Sequence, residues 1–221
     1  TQKVGEQEAG AVQVQEYTLP VSSFLSRESR EAISRWDSEN KRYYSDSAAC
    51  AADDQACQTQ LFYQTASYKH LMEQYDVQVQ IESVNDVAVE VFTPAEGIAP
   101  HNQERVLINL HCGGFLGGSR TNSHLESIPV AALGKIKVLS IDYRMAPEHQ
   151  FPAASEDVEK VYRSLLKHYK PENIGIYGCS AGGLLTAESV AWLLKNQLPL
   201  PGALACCVLG LMRGVRVIPV L

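Results

Sequence analysis

Ser180 stands in the run Ile174-Gly-Ile-Tyr-Gly-Cys-Ser-Ala-Gly-Gly183, an apolar stretch that closes on Gly178-Cys-Ser-Ala-Gly182. This is the G-x-S-x-G spacing of a sharp strand-to-helix turn, which lifts a serine hydroxyl into the open at the edge of a sheet and makes it available as a nucleophile. Gly178 and Gly182 have a mechanical reason to flank it, because the turn brings strand and helix so close that a Cβ does not fit. The surroundings agree with the motif. Asn173 to Cys179 reads as a strand buried on both faces, and Ala181 to Lys195 reads as a helix with apolar Leu184, Leu185, Ala187, Val190, Ala191, Leu193 and Leu194.

A second group, His111-Cys-Gly-Gly-Phe115, follows directly on the apolar run Val106 to Leu110. Paired glycines after a strand expose backbone N–H groups, and donors fixed about 3 Å from a developing negative charge stabilise it. Such a loop also suits a phosphate, but no G-K-[ST] or G-x-G-x-x-G pattern completes that reading. His111 has the side chain of a general base; at the end of a buried strand it is expected instead to brace the loop by hydrogen bonding.

These groups need a sheet and helices to position them. Val77, Val79 and Ile81, then Val87, Val89 and Val91, alternate with other residues around an Asn85-Asp86 turn and predict two half-buried antiparallel strands. Val106 to Leu110, Val138 to Ile141 and Asn173 to Cys179 are continuous apolar runs expected of parallel strands. Helical segments Ser127 to Gly134 and Ala153 to Tyr169 lie between them, so the pattern is α/β with a mostly parallel, mixed sheet. Upstream, Thr1 to Pro20 is patternless and reads as an arm. A helix opens at Ser26 and carries Ile33, Trp36 and Tyr43; a second, capped by Asp53, carries Leu61, Phe62, Ala66, Tyr68, Leu71, Met72 and Tyr75. The expected division is residues 1–75 as arm and helical region and 76–221 as the domain bearing the chemistry.

The 221 residues are 45% hydrophobic and 20% charged, enough for one sizeable core. A net charge of −6 with no basic run argues against a nucleic-acid partner. No apolar stretch reaches the ~18 residues of a membrane span. Six cysteines without C-x-x-C spacing predict neither a disulfide scaffold nor a metal site. Cys50 and Cys57 either bridge, in an oxidising compartment, or stay as two surface thiols. Thr1 in place of an initiator methionine fits a removed signal peptide or an arbitrary start; with the cysteine pair it tilts the expectation towards a secreted or periplasmic protein, otherwise a cytoplasmic one.

Three motifs in register, His111-Cys-Gly-Gly-Phe, Asp142-Tyr-Arg-Met-Ala-Pro-Glu-His-Gln-Phe-Pro-Ala153 and Gly178-Cys-Ser-Ala-Gly-Gly183, resemble the α/β-hydrolase esterases of the hormone-sensitive-lipase-like family. The resemblance covers roughly Val106 to Leu194, and it likens the helical prelude to the family's amino-terminal cap. It implies Ser180 as nucleophile towards small carboxylic esters of short or medium acyl chains, Gly113, Gly114 and Ala181 as oxyanion donors, and Asp142, Arg144 and Pro147 as a structural segment. It implies no metal and no organic cofactor. Phe115 reads as an acyl-pocket wall or as a plain core residue. Cys112 and Cys179 depart from the family's glycine and acidic residue; both fall at strand ends that are neighbours in that fold, so a bridge is open, with two small thiols the preferred reading.

The family's acid and histidine follow the nucleophile along the chain. Residues 181–221 contain no aspartate and no histidine, and Glu188 is their sole acid. Gly202-Ala-Leu-Ala205 looks like the start of the next strand; from Cys206 to Leu221 the resemblance stops, and no later strand is expected. The expectation is a truncated or frame-shifted version of the fold, lacking its C-terminal part. It competes with a non-catalytic ligand-binding protein on the same fold and with an inactive partial product. The five other histidines, His70, His101, His124, His149 and His168, lie upstream.

Overall fold

The computed structural model describes residues 21–47, 50, 54–207 and 217–219. The expected arm, Thr1 to Pro20, and most of the tail after Cys207 lie outside the described residues. Seven strands form one sheet among the described residues: β1 (Val77–Val84), β2 (Val87–Pro94), β3 (Val106–Leu110), β4 (Lys137–Ile141), β5 (Ile174–Cys179), β6 (Ala203–Cys207) and β7 (Val217–Pro219), in the order β1-β2-β4-β3-β5-β6-β7. The centre, β4-β3-β5-β6, is parallel, while β1, β2 and β7 are antiparallel to their neighbours. The α-helices are α1 (Arg27–Ser47), α2 (Gln55–Gln64), α3 (Ala66–Gln74), α4 (Asn122–Gly134), α5 (Ala153–Leu165) and α6 (Ala181–Lys195). No described helix is long and apolar enough to cross a membrane.

The parallel strands are mostly apolar because helices cover both faces. One face packs Ile108, Leu110, Leu139, Ile141 and Ile176 against Val158, Val161 and Tyr162 of α5 and Leu185 and Leu193 of α6. The other packs Phe92 and Val138 against Ile128 and Ala131 of α4, with Tyr68 and Leu71 of α3 beside them. Leu185 is fully buried. Leu185→Ala is expected to cost about 2–5 kcal/mol, read as a lower urea midpoint at constant slope.

Several expected boundaries move. The helix expected around Leu61 to Tyr75 is two helices, because Thr65 is extended (ψ 148°) and its Oγ1 accepts the Tyr68 N–H to start α3. The cap of α2 is Asp54 rather than Asp53, accepting the Cys57 N–H at 2.9 Å. Helix α4 begins at Asn122, five residues ahead of the expected Ser127, and α5 ends at Leu165 rather than Tyr169. Strand β1 is an edge, as its alternation implies, but β2 is an inner strand, paired with β4 on its far side and covered on its faces by α4 and α5. β7 corrects the expectation of no further strand: Val217–Pro219 pairs antiparallel with β6. Cys50 and Cys57 are bridged.

Candidate active site

Parallel pairing sets Leu110 opposite Gly178, so the loop after β3 and the turn after β5 leave the sheet at the same carboxyl edge. Ser180 has φ 51° and ψ −118°, a conformation that costs a residue with a Cβ about 1–2 kcal/mol. The contacts around it show why the flanks are glycine. A Cβ on Gly178 would lie 2.5 Å from the Leu110 carbonyl oxygen, and one on Gly182 would lie 1.7 Å from the same atom and 2.8 Å from the His111 carbonyl oxygen. The elbow is therefore pressed against the start of the glycine loop. Its floor is β6, where the Cys207 carbonyl accepts the Ser180 N–H at 2.7 Å. Ser180 Oγ is partly exposed and has no hydrogen-bond partner among the described residues.

Gly113 has φ 130°, and a Cβ there would meet the Gly117 carbonyl oxygen at 1.9 Å; Gly114 has φ 66° with open space beside it. The N–H groups of Gly113, Gly114 and Ala181 take no hydrogen bond among the described residues. His111 is fully buried, stacked on Tyr143 with ring centres 4.4 Å apart, and its Nδ1 lies 2.9 Å from the Cys112 carbonyl oxygen. Tyr143 donates its hydroxyl to the His111 carbonyl at 2.7 Å. Burial pushes the His111 pKa down, only partly offset by its bond to the Cys112 carbonyl, which favours a neutral ring wedged under the loop. Arg144 fastens the segment after β4 to α5. Its Nε donates to both Asp157 oxygens at 3.0 and 2.9 Å, and its Nη2 donates to Glu156 and to the Ala153 carbonyl. Asp142 is joined through its main chain, its N–H donating to Ala88 O of β2.

A profile of the alpha/beta hydrolase fold matches residues 107–212. Esterase E25 superposes with a TM-score of 0.62 and 29% identity, over 88% of this chain and 60% of that one; an esterase of the bacterial hormone-sensitive lipase family does so at 0.57 and 30%, over 76% and 56%. The chain has the α/β-hydrolase fold, and it is similar to esterases of the hormone-sensitive-lipase type. Among curated relatives, an acetyl-hydrolase of Streptomyces hygroscopicus is 37% identical over 55% of this chain and 41% of its own length. Versiconal hemiacetal acetate esterase of Emericella nidulans is 29% identical over 58% of this chain and 46% of its own length. The chain thus spans less than half the length of these curated relatives.

Within this α/β-hydrolase, Cys112 and Cys179 are free thiols, as are Cys206 and Cys207. Burial first, then the neighbouring Glu126 carboxylate, pushes the Cys112 thiol up to about 12. The folded pKa lies above the ordinary thiol value, so thiolate is scarce at pH 8 and grows about tenfold per pH unit towards 12. Alkylation of Cys112 in the native chain, followed by peptide mass, is expected to show that slope between pH 8 and 10, whereas a plateau above pH 9 would contradict it.

None of the described histidines touches Ser180. His124, one of the buried ones, bonds Glu90 Oε1 through Nε2 at 2.8 Å and lies 3.2 Å from the Tyr68 hydroxyl. Glu90 also accepts Ser123 Oγ and the Arg120 N–H; burial raises its carboxyl, and these bonds together with His124 bring it below the ordinary value. The residue motifs did not reveal this cluster, because Glu90 and His124 sit far apart in sequence. His149 is exposed and lines two cavities. One, of about 350 Å³, is walled by Phe115, Ala146, Phe151 and Ala154; the other, of about 700 Å³, lies between α2 and the loops after β3 and β4. Phe115 also packs edge-on against Tyr143.

Proposed function

We propose that this chain carries the nucleophile half of a carboxylic ester hydrolase acting on short or medium acyl chains. Ser180 Oγ attacks the ester carbonyl, the carbonyl oxygen takes the negative charge against the N–H groups of Gly113, Gly114 and Ala181, and the alcohol leaves with a proton. The acyl-Ser180 ester is then hydrolysed by water to the carboxylic acid and free serine. The observation that carries the reading is the meeting at one sheet edge of three N–H donors and a strained serine, none of them hydrogen-bonded through those N–H groups or Oγ among the described residues. The serine proton needs an acceptor, and none of the described histidines supplies one by contact. Residues 1–75 are taken as arm and cap, with α2 facing the loops across the 700 Å³ cavity. The Cys50–Cys57 bridge favours a secreted or periplasmic setting.

A Ser180 Oγ with no partner among the described residues also fits a second reading, a protein that binds small ligands in the same pocket without turning them over. A series of p-nitrophenyl esters of two to eight acyl carbons, given to the native chain and to Ser180→Ala, separates the two. Hydrolysis that falls with acyl length and disappears in the variant supports the esterase; saturable binding without product supports the binding protein.

A further inference from the structure

Glu126, in α4, belongs to none of the motifs, yet its carboxylate joins three elements. Oε1 accepts the backbone N–H of Cys112 at 3.0 Å, and Oε2 accepts Asn109 Nδ2 at 2.9 Å. Asn109 is wholly buried in β3, and its Oδ1 accepts Ser140 Oγ from β4 at 2.7 Å. A hydrogen-bonded chain thus runs from β4 through β3 and α4 to the first residue of the glycine loop. On the other side, the Cys112 carbonyl is held by His111 Nδ1. A peptide group is planar and trans, so fixing the Cys112 carbonyl also fixes the Gly113 N–H, which points the opposite way. With its N–H held by Glu126 and its carbonyl held by His111, residue 112 has little freedom to turn the donors after it. Two N–H donors meet at Glu126, and a carboxylate supplies both acceptors, where an apolar side chain would leave both unpaired at a cost of about 1–3 kcal/mol each.

We propose that Glu126 is a positioning residue for ester hydrolysis: it holds the Cys112 peptide so that the Gly113 and Gly114 N–H groups stay free and fixed for the substrate oxygen. The proposal rests on the reading of Ser180 as an ester nucleophile. Glutamine can replace Glu126 if the Asn109 amide turns over, donating to Ser140 Oγ and accepting from the glutamine, so E126Q is expected to keep the loop while E126A loses it.

The test uses the whole chain. Amide exchange followed by NMR is expected to show the Cys112 N–H about 30-fold less protected in E126A, with β3 and β5 amides unchanged, and within about threefold of native in E126Q. With p-nitrophenyl acetate, E126A is expected to lose about 30-fold in kcat with KM within about twofold, and E126Q to restore most of it. Unchanged Cys112 protection in E126A, or a loss carried by KM alone, overturns the proposal. If E126A does not fold, E126Q decides: removing the charge should speed Cys112 alkylation at pH 9 several-fold, and an unchanged rate overturns the assignment. A native chain that hydrolyses no ester refutes the functional reading, while exchange and alkylation still decide whether Glu126 holds the loop.

Discussion

Gly182→Ala is expected to be the most damaging single-methyl change in the chain, costing about 4 kcal/mol or more and removing the elbow with it. The reason is contact rather than conformation. Gly182 has ordinary helical angles, but the added methyl would sit 1.7 Å from a backbone oxygen of β3, and neither α6 nor the strand can retreat without opening the core around Leu185. Gly114 makes the opposite case, with φ 66° and no atom within 4 Å of the added Cβ. Gly114→Ala is expected to cost only about 1–2 kcal/mol, from the left-handed backbone alone. Urea titration of both variants checks the order; equal losses would mean that the elbow and loop are not pressed together as described.

Ser180→Ala is expected to leave the fold intact and to lower ester turnover by about 10³-fold or more. Stability should hardly change, since Ser180 Oγ makes no hydrogen bond among the described residues and alanine bears the same backbone strain. Ser180→Gly separates the two roles. It also removes the nucleophile, yet relieves the positive φ and is expected to gain about 1 kcal/mol. A serine that destabilises its own fold is consistent with a position kept for chemistry. Thermal melts and p-nitrophenyl acetate rates on the three proteins measure both effects, and turnover that survives in Ser180→Ala would place the nucleophile elsewhere.

The parts of this fold that can be read along the chain are those whose physics is local. Val106 to Leu110, Val138 to Ile141 and Ile174 to Cys179 are buried on both faces, so their composition alone marks them as inner strands. Gly178, Ser180 and Gly182 announce a strained turn because few other residues fit it. The strand β2 is different: Glu90 looks like a solvent-facing residue in an alternating strand, and its bonds to His124, Ser123 and the Arg120 N–H make its burial tolerable. The break at Thr65 is a cap set inside a continuous apolar stripe, its Oγ1 accepting the Tyr68 N–H, and the early start of α4 goes with its packing against β2, where His124 meets Glu90. Glu126 is the sharpest case. Its two partners, Asn109 and Cys112, lie on another element, and nothing in the pattern of α4 distinguishes it from an ordinary helix-surface glutamate.

The central claim is that Ser180 is a nucleophile set before free backbone donors. Treating the native chain with a fluorophosphonate and sequencing its peptides by mass tests this directly, because the tetrahedral phosphonyl group makes the same demands on the serine and the donors as an ester does. The account predicts a single phosphonyl adduct, on Ser180, that is absent from Ser180→Ala. An unmodified Ser180, or an adduct on any other serine, would contradict it.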